Sequence, residues 1–178
     1  MTALQLTHDV AAVTITKLDP GAWQEFKVLR LEALATDPQA FEASYDEVHA
    51  KPDTYWTERL QDIAEGEGSW LLFARQEQRL VGMIGASIAE ERHIAEITSV
   101  FVAEDARGWG IGTGLMNAIL RELRQDRCIL RLRLHVNASQ VAAVHLYDRF
   151  GFHIVDTERA SYGDGQEHDW NVMERALA

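Results

Sequence analysis

Residues 107–114 read Arg107-Gly108-Trp109-Gly110-Ile111-Gly112-Thr113-Gly114, so four glycines occupy seven positions behind an arginine. Glycine destabilises the interior of a helix or strand, so this density needs a physical reason. The first backbone N–H groups of a helix have no internal partners, and small residues let an anion approach them closely. The helix dipole stabilises an anion at this end of the helix by about 0.3–1 kcal/mol, and Arg107 can add a charge-assisted hydrogen bond to it. The segment therefore predicts a diphosphate-binding loop; the alternative is a glycine-rich turn that tightens helix–sheet packing.

Two common phosphate motifs do not fit this segment. A dinucleotide fingerprint needs glycines at positions i, i+2 and i+5, but the third position holds Thr113 or Leu115. A Walker A loop needs Gly-Lys-Ser/Thr, and the segment contains no lysine. The pattern that remains is Arg-x-x-Gly-x-Gly between a strand and a helix.

The elements that must position this loop follow from hydrophobic periodicity and turn residues. Strands are predicted at Val10–Leu18, Trp70–Arg75, Leu80–Ala89, Ile94–Val102 and Ile129–Val136, with two more flanking Gly163-Asp164-Gly165. Helices are predicted from Asp19-Pro20 to about Thr36, from Asp53-Thr54 to about Ala64, from the glycine loop to about Gln125, and over Ser139–Phe150. Residues 37–52 are predicted to form a loop.

This order of elements predicts an α/β fold with a mixed, mostly antiparallel sheet of about seven strands and about four helices. The segment from Ile94 to Ile129 forms one strand–helix–strand crossover, so its two strands should lie parallel. No repeat or linker interrupts residues 1–178, which predicts a single domain.

Composition narrows the function classes. The formal net charge of −11 argues against general nucleic-acid binding, which needs a basic surface. Apolar runs are too short to span a membrane, no signal peptide is recognisable, and a single cysteine excludes an internal disulfide, so we expect a cytoplasmic location. No two of the seven histidines are three or four residues apart, so we expect no metal site.

The glycine segment resembles the acetyl-CoA signature Gln/Arg-x-x-Gly-x-Gly/Ala of the GNAT superfamily of N-acetyltransferases, through Arg107, Gly110 and Gly112. The similarity extends upstream through AEITSVFVAEDA and downstream through LHVNASQVAAVHLYDRFGF. It also covers the order of elements along the whole chain, although the N-terminal third matches in pattern only. The resemblance implies a central parallel strand pair that splays apart to admit acetyl-CoA as co-substrate.

The resemblance also implies how the coenzyme is held. Backbone groups of the segment Val100, Phe101 and Val102 would pair with the pantetheine arm, and the N–H of Val100 would point at the thioester carbonyl. Amides from Arg107 to Gly112, with Thr113 and Gly114, would hold the pyrophosphate. Trp109 would pack on the adenosine side. Asn137 would contact the pantetheine, and its other interpretation is a cap of the following helix.

Acetyl transfer to an amine requires removal of a proton from the ammonium, donors for the carbonyl oxygen, and a proton for the departing thiolate. Similar acetyltransferases often carry a glutamate at the position of Glu96, which makes it the candidate base; the alternative is a solvated glutamate on the sheet. Tyr147 is the candidate acid for the thiolate, and the alternative is a core aromatic. His135 and His145 are interpreted as structural or surface residues.

The acceptor end is expected, by resemblance, between the first helix–helix loop and the last hairpin. Its candidates are Phe41, Tyr45, Glu47, Tyr162 and Trp170, which could hold a cationic amine or could simply pack at a loop. The leading hypothesis is transfer of an acetyl group from acetyl-CoA to a primary amine of a small molecule or peptide, in a ternary complex. The alternatives are an acyl-CoA-binding sensor or partner module without turnover, and a purely structural domain. The oligomeric state stays open, with a homodimer as one option because similar proteins are often dimers.

Overall fold

The computed structural model describes residues 12–66, 68–91 and 93–177. The strands within these residues are β1 (Val13–Thr16), β2 (Ser69–Gln76), β3 (Arg79–Ile88), β4 (Ile94–Val102), β5 (Arg131–Asn137), β6 (His153–Ser161) and β7 (Glu167–Ala176). The α-helices are α1 (Trp23–Thr36), α2 (Tyr45–His49), α3 (Asp53–Glu65), α4 (Ile111–Leu123) and α5 (Val141–Arg149). Short 3₁₀ turns lie at Pro20–Ala22, Pro38–Ala40 and Glu104–Ala106.

The strands form one seven-stranded sheet in the order β1-β2-β3-β4-β5-β7-β6. The pair β4–β5 is parallel, and the other pairs are antiparallel. The mixed, mostly antiparallel α/β sheet predicted from the sequence is therefore confirmed. The crossover that makes β4 and β5 parallel contains α4, as the strand–helix–strand order predicts.

Two predictions of local structure differ from the structure. The predicted first strand is shorter than expected, since β1 covers Val13–Thr16, and residues 10–11 of that prediction lie outside the described residues. The loop predicted for residues 37–52 contains α2, which raises the number of helices from about four to five. The helix is only five residues long, and a reciprocal capping box between Ser44 and Glu47 stabilises its start.

An aromatic cluster fixes α1 and α3 against one face of the sheet. Phe26 of α1 makes edge-to-face contacts with Trp56 of α3 and with Phe73 of β2, at centroid distances of 5.3 and 5.4 Å. All three side chains are buried, and each contributes about 2–3 kcal/mol of hydrophobic stabilisation. These contacts hold the first helices over the strands that precede the glycine loop.

The helix α4 lies on the opposite face of the sheet. Met83 pairs with Phe73 and lies on the same face of the sheet, so the neighbouring position 82 belongs to the opposite face. A Cβ placed on Gly82 would lie 3.1 Å from Leu115 of α4. The buried stripe of α4 consists of Ile111, Leu115, Met116, Ile119, Leu120 and Leu123. This stripe anchors the helix whose first turn follows the glycine segment. None of the helices in the described part of the chain has the length and apolar character needed to cross a membrane.

Candidate active site

The two parallel central strands separate halfway along their length. β4 and β5 are paired from Ile94↔Arg131 to Ile97↔Leu134, after which each strand continues without the other. A bulge in β4 accompanies the separation, because Ser99 has a φ of 55° and the register with β3 shifts between Met83 and Gly85. The expected splayed pair is therefore present, and its far halves leave backbone groups of β4 without a strand partner on that side.

A cleft of about 640 Å³ opens at this separation. It is bounded by β4, the glycine loop, α5 and the segment after α1. The predicted coenzyme-site residues that line it are Val100, Phe101, Val102, Arg107, Gly108, Gly110, Ile111, Gly112, Thr113 and Tyr147. Trp109, Gly114, Asn137 and Glu96 are not among the lining residues.

Two glycines of the loop are required by backbone conformation. Gly108 and Gly110 have φ values of 83° and 79°, in the left-handed region that costs other residues about 1–2 kcal/mol. Gly110 is the N-cap of α4, and no side chain caps that end. The amide of Gly114 donates to the carbonyl of Gly110 over 2.9 Å as the first helical bond, so the amides of residues 111–113 have no partner in the described chain. No atom of the described residues lies within 4 Å of a Cβ placed on Gly110, which leaves room for a ligand at these amides.

The other two glycines serve close packing. A Cβ on Gly112 would lie 3.3 Å from Leu146 of α5, and a Cβ on Gly114 would lie 3.1 Å from Ile15 of β1. Both distances are tighter than ordinary contact. The packing explanation considered for the glycine-rich segment therefore applies to Gly112 and Gly114, whereas a Cβ at Gly108 or Gly110 would meet no described atom.

The side chain of Arg107 forms hydrogen bonds within the protein. Its Nε donates to the carbonyl of Val102 over 2.9 Å, and its Nη2 lies 2.5 Å from the carboxylate of Asp37, which follows α1. The side chain therefore ties the end of β4 to the end of α1 across the cleft wall. Its backbone remains at the start of the glycine loop, whereas its charge is already paired.

Glu96 and His135 lie next to each other at the point where the strands separate. Oε1 of Glu96 lies 3.3 Å from Nε2 of His135, and their side chains are 35% and 26% exposed. Glu96 pairs with Arg133 in β5, so His135, two residues further along, projects from the same face and lines the cleft. Glu96 is half-buried rather than buried. His135 was interpreted as structural or surface from the sequence alone, and the structure places it beside the candidate base.

Tyr147 of α5 reaches the cleft from the side of α4. The residue is 5% exposed and makes an edge contact with Phe152 at 6.1 Å. Within the described chain its hydroxyl has no hydrogen-bond partner, and burial raises the pKa of Tyr147 well above the ordinary value. A hydroxyl that stays protonated and faces a cleft can donate a proton or a hydrogen bond to a ligand.

Asn137 and Trp109 are two residues with expected coenzyme contacts that do not line the cleft. Asn137 is buried, its Oδ1 accepts from the N–H and the hydroxyl of Ser139, and its Nδ2 donates to the carbonyl of Gln39. It organises the loop before α5, whose N-cap is Gln140 rather than Asn137. Trp109 is 59% exposed.

The region predicted for the acceptor contains a stacked aromatic pair surrounded by carboxylates. Tyr162 stacks on Trp170 with a centroid distance of 3.7 Å, and the amide of Gly163 donates to the carbonyl of Phe41 over 2.8 Å, which joins the hairpin to the first loop. Burial raises the pKa of Tyr162, and repulsion from three carboxylates adds to the effect; these belong to Glu42, Glu158 and Glu96.

Two other candidates for the acceptor end lie in α2 and make contacts within it. Tyr45 stacks on His49, and Glu47 belongs to the capping box with Ser44. Phe41 lines the cleft, whereas these two residues do not.

Arg149 is a cleft residue that the sequence analysis missed. It ends α5, two residues after Tyr147, and is exposed. No carboxylate pairs with it in the part of the chain that the structure describes. Its signal in the sequence is weak, since a single arginine at the end of a helix is ordinary.

A model of the acetyltransferase (GNAT) family matches residues 31–152 of the chain. The chain belongs to the GNAT acetyltransferase family. Members of this family use acetyl-CoA as co-substrate. The matched range includes the glycine loop, both parallel strands and α5.

Curated relatives agree with this assignment. The chain is 31% identical over 144 residues to a mycothiol acetyltransferase of Salinispora tropica. The aligned region covers 79% of this chain and 44% of that protein. It is 32% identical over 71 residues to N-alpha-acetyltransferase 50 of Danio rerio, covering 40% of this chain and 42% of that protein. The GNAT chain therefore spans less than half the length of these relatives.

Solved structures share the fold. An acetyltransferase of the GNAT family from Streptococcus pneumoniae superposes with a TM-score of 0.81 at 20% identity, covering 94% of this chain and all of that chain. A putative acetyltransferase from Salmonella typhimurium, solved with its cofactor acetyl-CoA, superposes with a TM-score of 0.78 at 16% identity, covering 94% and 95%. At these identities the agreement concerns the fold.

Proposed function

We propose that this chain transfers the acetyl group of acetyl-CoA to a primary amine of a small molecule or peptide, by direct attack in a ternary complex. The observation that carries the proposal is the cleft between the separated ends of β4 and β5, into which the partner-free amides of residues 111–113 open. Unpaired amides at a helix start suit a pyrophosphate, and the open edge of β4 suits an extended amide-containing arm. The space beside Gly110 leaves these donors accessible.

The residues around the cleft would divide the chemistry between two faces of the sheet. When bound, the coenzyme supplies an acetyl thioester whose carbonyl carbon forms a bond to the amine nitrogen while its bond to sulfur breaks. Glu96, on the face of the sheet that carries α1 and α3, accepts the proton that the ammonium loses, directly or through water. The N–H of Val100 donates to the carbonyl oxygen as negative charge develops there. Tyr147, on the side of α4 and α5, donates a proton to the departing sulfur.

His135 would hold the carboxylate of Glu96 toward the cleft. The two side chains lie within ion-pair distance and on the same face, and His135 contributes to the cleft wall itself. A neighbouring imidazole fixes the rotamer of the base and can accept the proton from it. This arrangement favours an enzyme over a sensor module that binds acyl-CoA without turnover.

Acetyl transfer to a panel of polyamines, amino acids and peptides tests the proposal, with product detected by mass spectrometry and free thiol released in parallel. We expect thiol release that depends on one class of amine. Tight CoA binding with no product from any amine would support the sensor, and an absence of CoA binding in calorimetry would contradict both. A single domain over residues 1–178, a cytoplasmic location and a homodimer stay predictions.

A further inference from the structure

A second cavity, called here the side cavity, lies between α3 and strands β2–β4. Its volume is about 380 Å³, and its wall includes Tyr55, Arg59, Ser69, Ser87, Thr98 and Ser99. Thr98 and Ser99 also line the main cleft, so the two spaces share wall residues at the bulge of β4. Ser87 pairs with Glu96 across β3 and β4, which places the side cavity on the same face as the candidate base.

Arg30 of α1 neighbours one wall residue of each space, Phe41 and Arg59, and forms no ion pair with a described residue. Its guanidinium lies over the ring of Phe41 at 4.5 Å, and Phe41 lines the main cleft. Its Nη1 is buried without a hydrogen-bond partner. Burial, together with repulsion from Arg59, lowers the pKa of Arg30 to about 10, so the group remains a cation at neutral pH. A buried guanidinium without a counter-ion is unfavourable, and stacking on an aromatic ring offsets only part of that cost.

Arg59 brings a second cation to the same place. It lies close enough to Arg30 for each to repel the other, it lines the side cavity, and it forms no ion pair with a described residue. Two guanidinium groups that approach each other without a carboxylate between them are typical of a site whose anion comes from outside the protein. The exposed carboxylates of Glu58 and Asp62 also line the side cavity, so its walls carry both signs of charge.

We propose that Arg30 and Arg59 bind a carboxylate group of the acceptor in the side cavity, so that the acceptor is an amine that also carries a carboxylate. Arg59 contacts the carboxylate from the cavity wall, and the neighbouring Arg30 supplies the second positive charge. The amine of the same molecule then points past Thr98 toward Glu96 and the cleft. This inference rests on the proposed acetyl transfer and narrows its substrate to zwitterionic amines.

Matched acceptor pairs test the inference with the full-length protein. Each α-amino acid is compared with its carboxamide, and β-alanine with β-alaninamide, in acetyl transfer at saturating acetyl-CoA. We expect the acid to have a KM lower than that of its amide by about 10- to 100-fold, the range for a hydrogen bond to a charged group. Equal KM values for acid and amide would overturn the inference while leaving acetyl transfer intact.

Substitutions locate the contact. Arg59→Met and Arg30→Met should raise KM for the acids toward the value for the amides, leave KM for the amides unchanged, and leave CoA affinity unchanged. Arg127→Met, an exposed position beyond the end of α4, is the matched control and should change none of these. An equal rise for acid and amide would mark the arginines as packing residues and overturn the inference.

A measurement without turnover separates this inference from the proposed function. N-acetyl amino acids and their carboxamides are titrated into the CoA-loaded protein, and the melting temperature is recorded. We expect the acid product to stabilise wild type more than the amide product, and this difference to vanish in Arg59→Met. Arg30→Met, without acceptor, should not lower the melting temperature, since it removes a buried unpaired charge. A fall of several degrees would show that Arg30 is already stabilised within the fold, which would overturn the argument.

Discussion

Arg107 and Asp37 form a 2.5 Å ion pair although 70 residues separate them in the chain. Asp37 follows α1 and Arg107 opens the glycine loop, so the pair joins the two walls of the cleft. Because Arg107 also donates to the carbonyl of Val102, it fixes the end of β4 at the point where the loop begins. The arginine of the signature therefore positions the loop, while the amides of residues 111–113 remain without a partner in the described chain.

Asp37→Asn should loosen the glycine loop and weaken CoA binding. The pair is partly exposed, so its loss should cost about 1 kcal/mol or less and lower CoA affinity by about three- to fivefold. Calorimetric titration of CoA measures the affinity, and hydrogen exchange of residues 107–113 measures the loosening. Asp105→Asn removes a similar pair with Arg79 outside the cleft and should change neither. Unchanged exchange in Asp37→Asn would contradict the positioning role.

Gly110→Glu should abolish CoA binding through bulk and charge beside the free amides. Gly151→Glu is the matched control. The φ of Gly151 is 80°, within one degree of that of Gly110, and a Cβ there also meets no described atom within 4 Å. Both substitutions place a side chain in the left-handed region and should cost about 1–2 kcal/mol of stability. Only the variant at Gly110 should lose CoA binding. Loss of binding in both would point to general destabilisation instead.

Glu96→Gln should lower kcat by about 100-fold or more, the range for loss of a general base, with little change in CoA affinity. His135→Gln should lower kcat less, since it removes the neighbour and leaves the base. Calorimetric titration of CoA separates a positioning role from a packing role, because removing His135 should lower kcat without changing CoA affinity, whereas a disturbed cleft wall would lower both. A kcat equal to wild type in His135→Gln would contradict the positioning role of His135.

Tyr147→Phe should lower kcat by about 100-fold while CoA affinity changes little, since it removes only the proton donor. The raised pKa of Tyr147 also has a consequence for stability. The folded protein binds this proton more tightly than the unfolded chain, so the contribution is fully present below pH 10.0 and is lost as pH rises beyond it. Melting temperatures from pH 9 to pH 11 should fall more steeply in wild type than in Tyr147→Phe. Parallel curves would contradict this assignment, and the exposed Tyr45→Phe serves as control.

The sheet was predictable from the sequence because alternation and turn residues mark β2 to β7 strongly, and the crossover rule then makes β4 and β5 parallel. The short helix α2 was missed because five residues give no periodicity, although Ser44 and Glu47 stand at capping-box spacing. A glycine-rich turn leading into α4 was predictable at Gly108 and Gly110, whereas the packing roles of Gly112 and Gly114 depend on neighbours distant in sequence.

Side-chain pairings at the site were not predictable for the same reason. The contact between Glu96 and His135 depends on the register of two parallel strands, which the alternation of each strand leaves undetermined. Arg30 fits the buried face of α1 in the sequence, yet the absence of a counter-ion among the described residues emerges only when α3 and Phe41 are placed around it. Long-range pairing, rather than local pattern, therefore sets the chemistry of the cleft.

Arg149→Met should weaken CoA binding in a salt-dependent manner. With the charge of Arg107 paired to Asp37, Arg149 is a cation at the cleft wall that would attract the phosphate groups of the coenzyme. Because the side chain is exposed, its attraction is screened by salt, with a Debye length of about 10 Å at 0.1 M and about 3 Å at 1 M. We expect affinity to fall about three- to tenfold at low salt and to equal that of wild type at high salt. Calorimetric titration of CoA at two salt concentrations measures this, with Arg127→Met as control. An equal loss at both concentrations would mean that Arg149 shapes the cleft by packing rather than by charge.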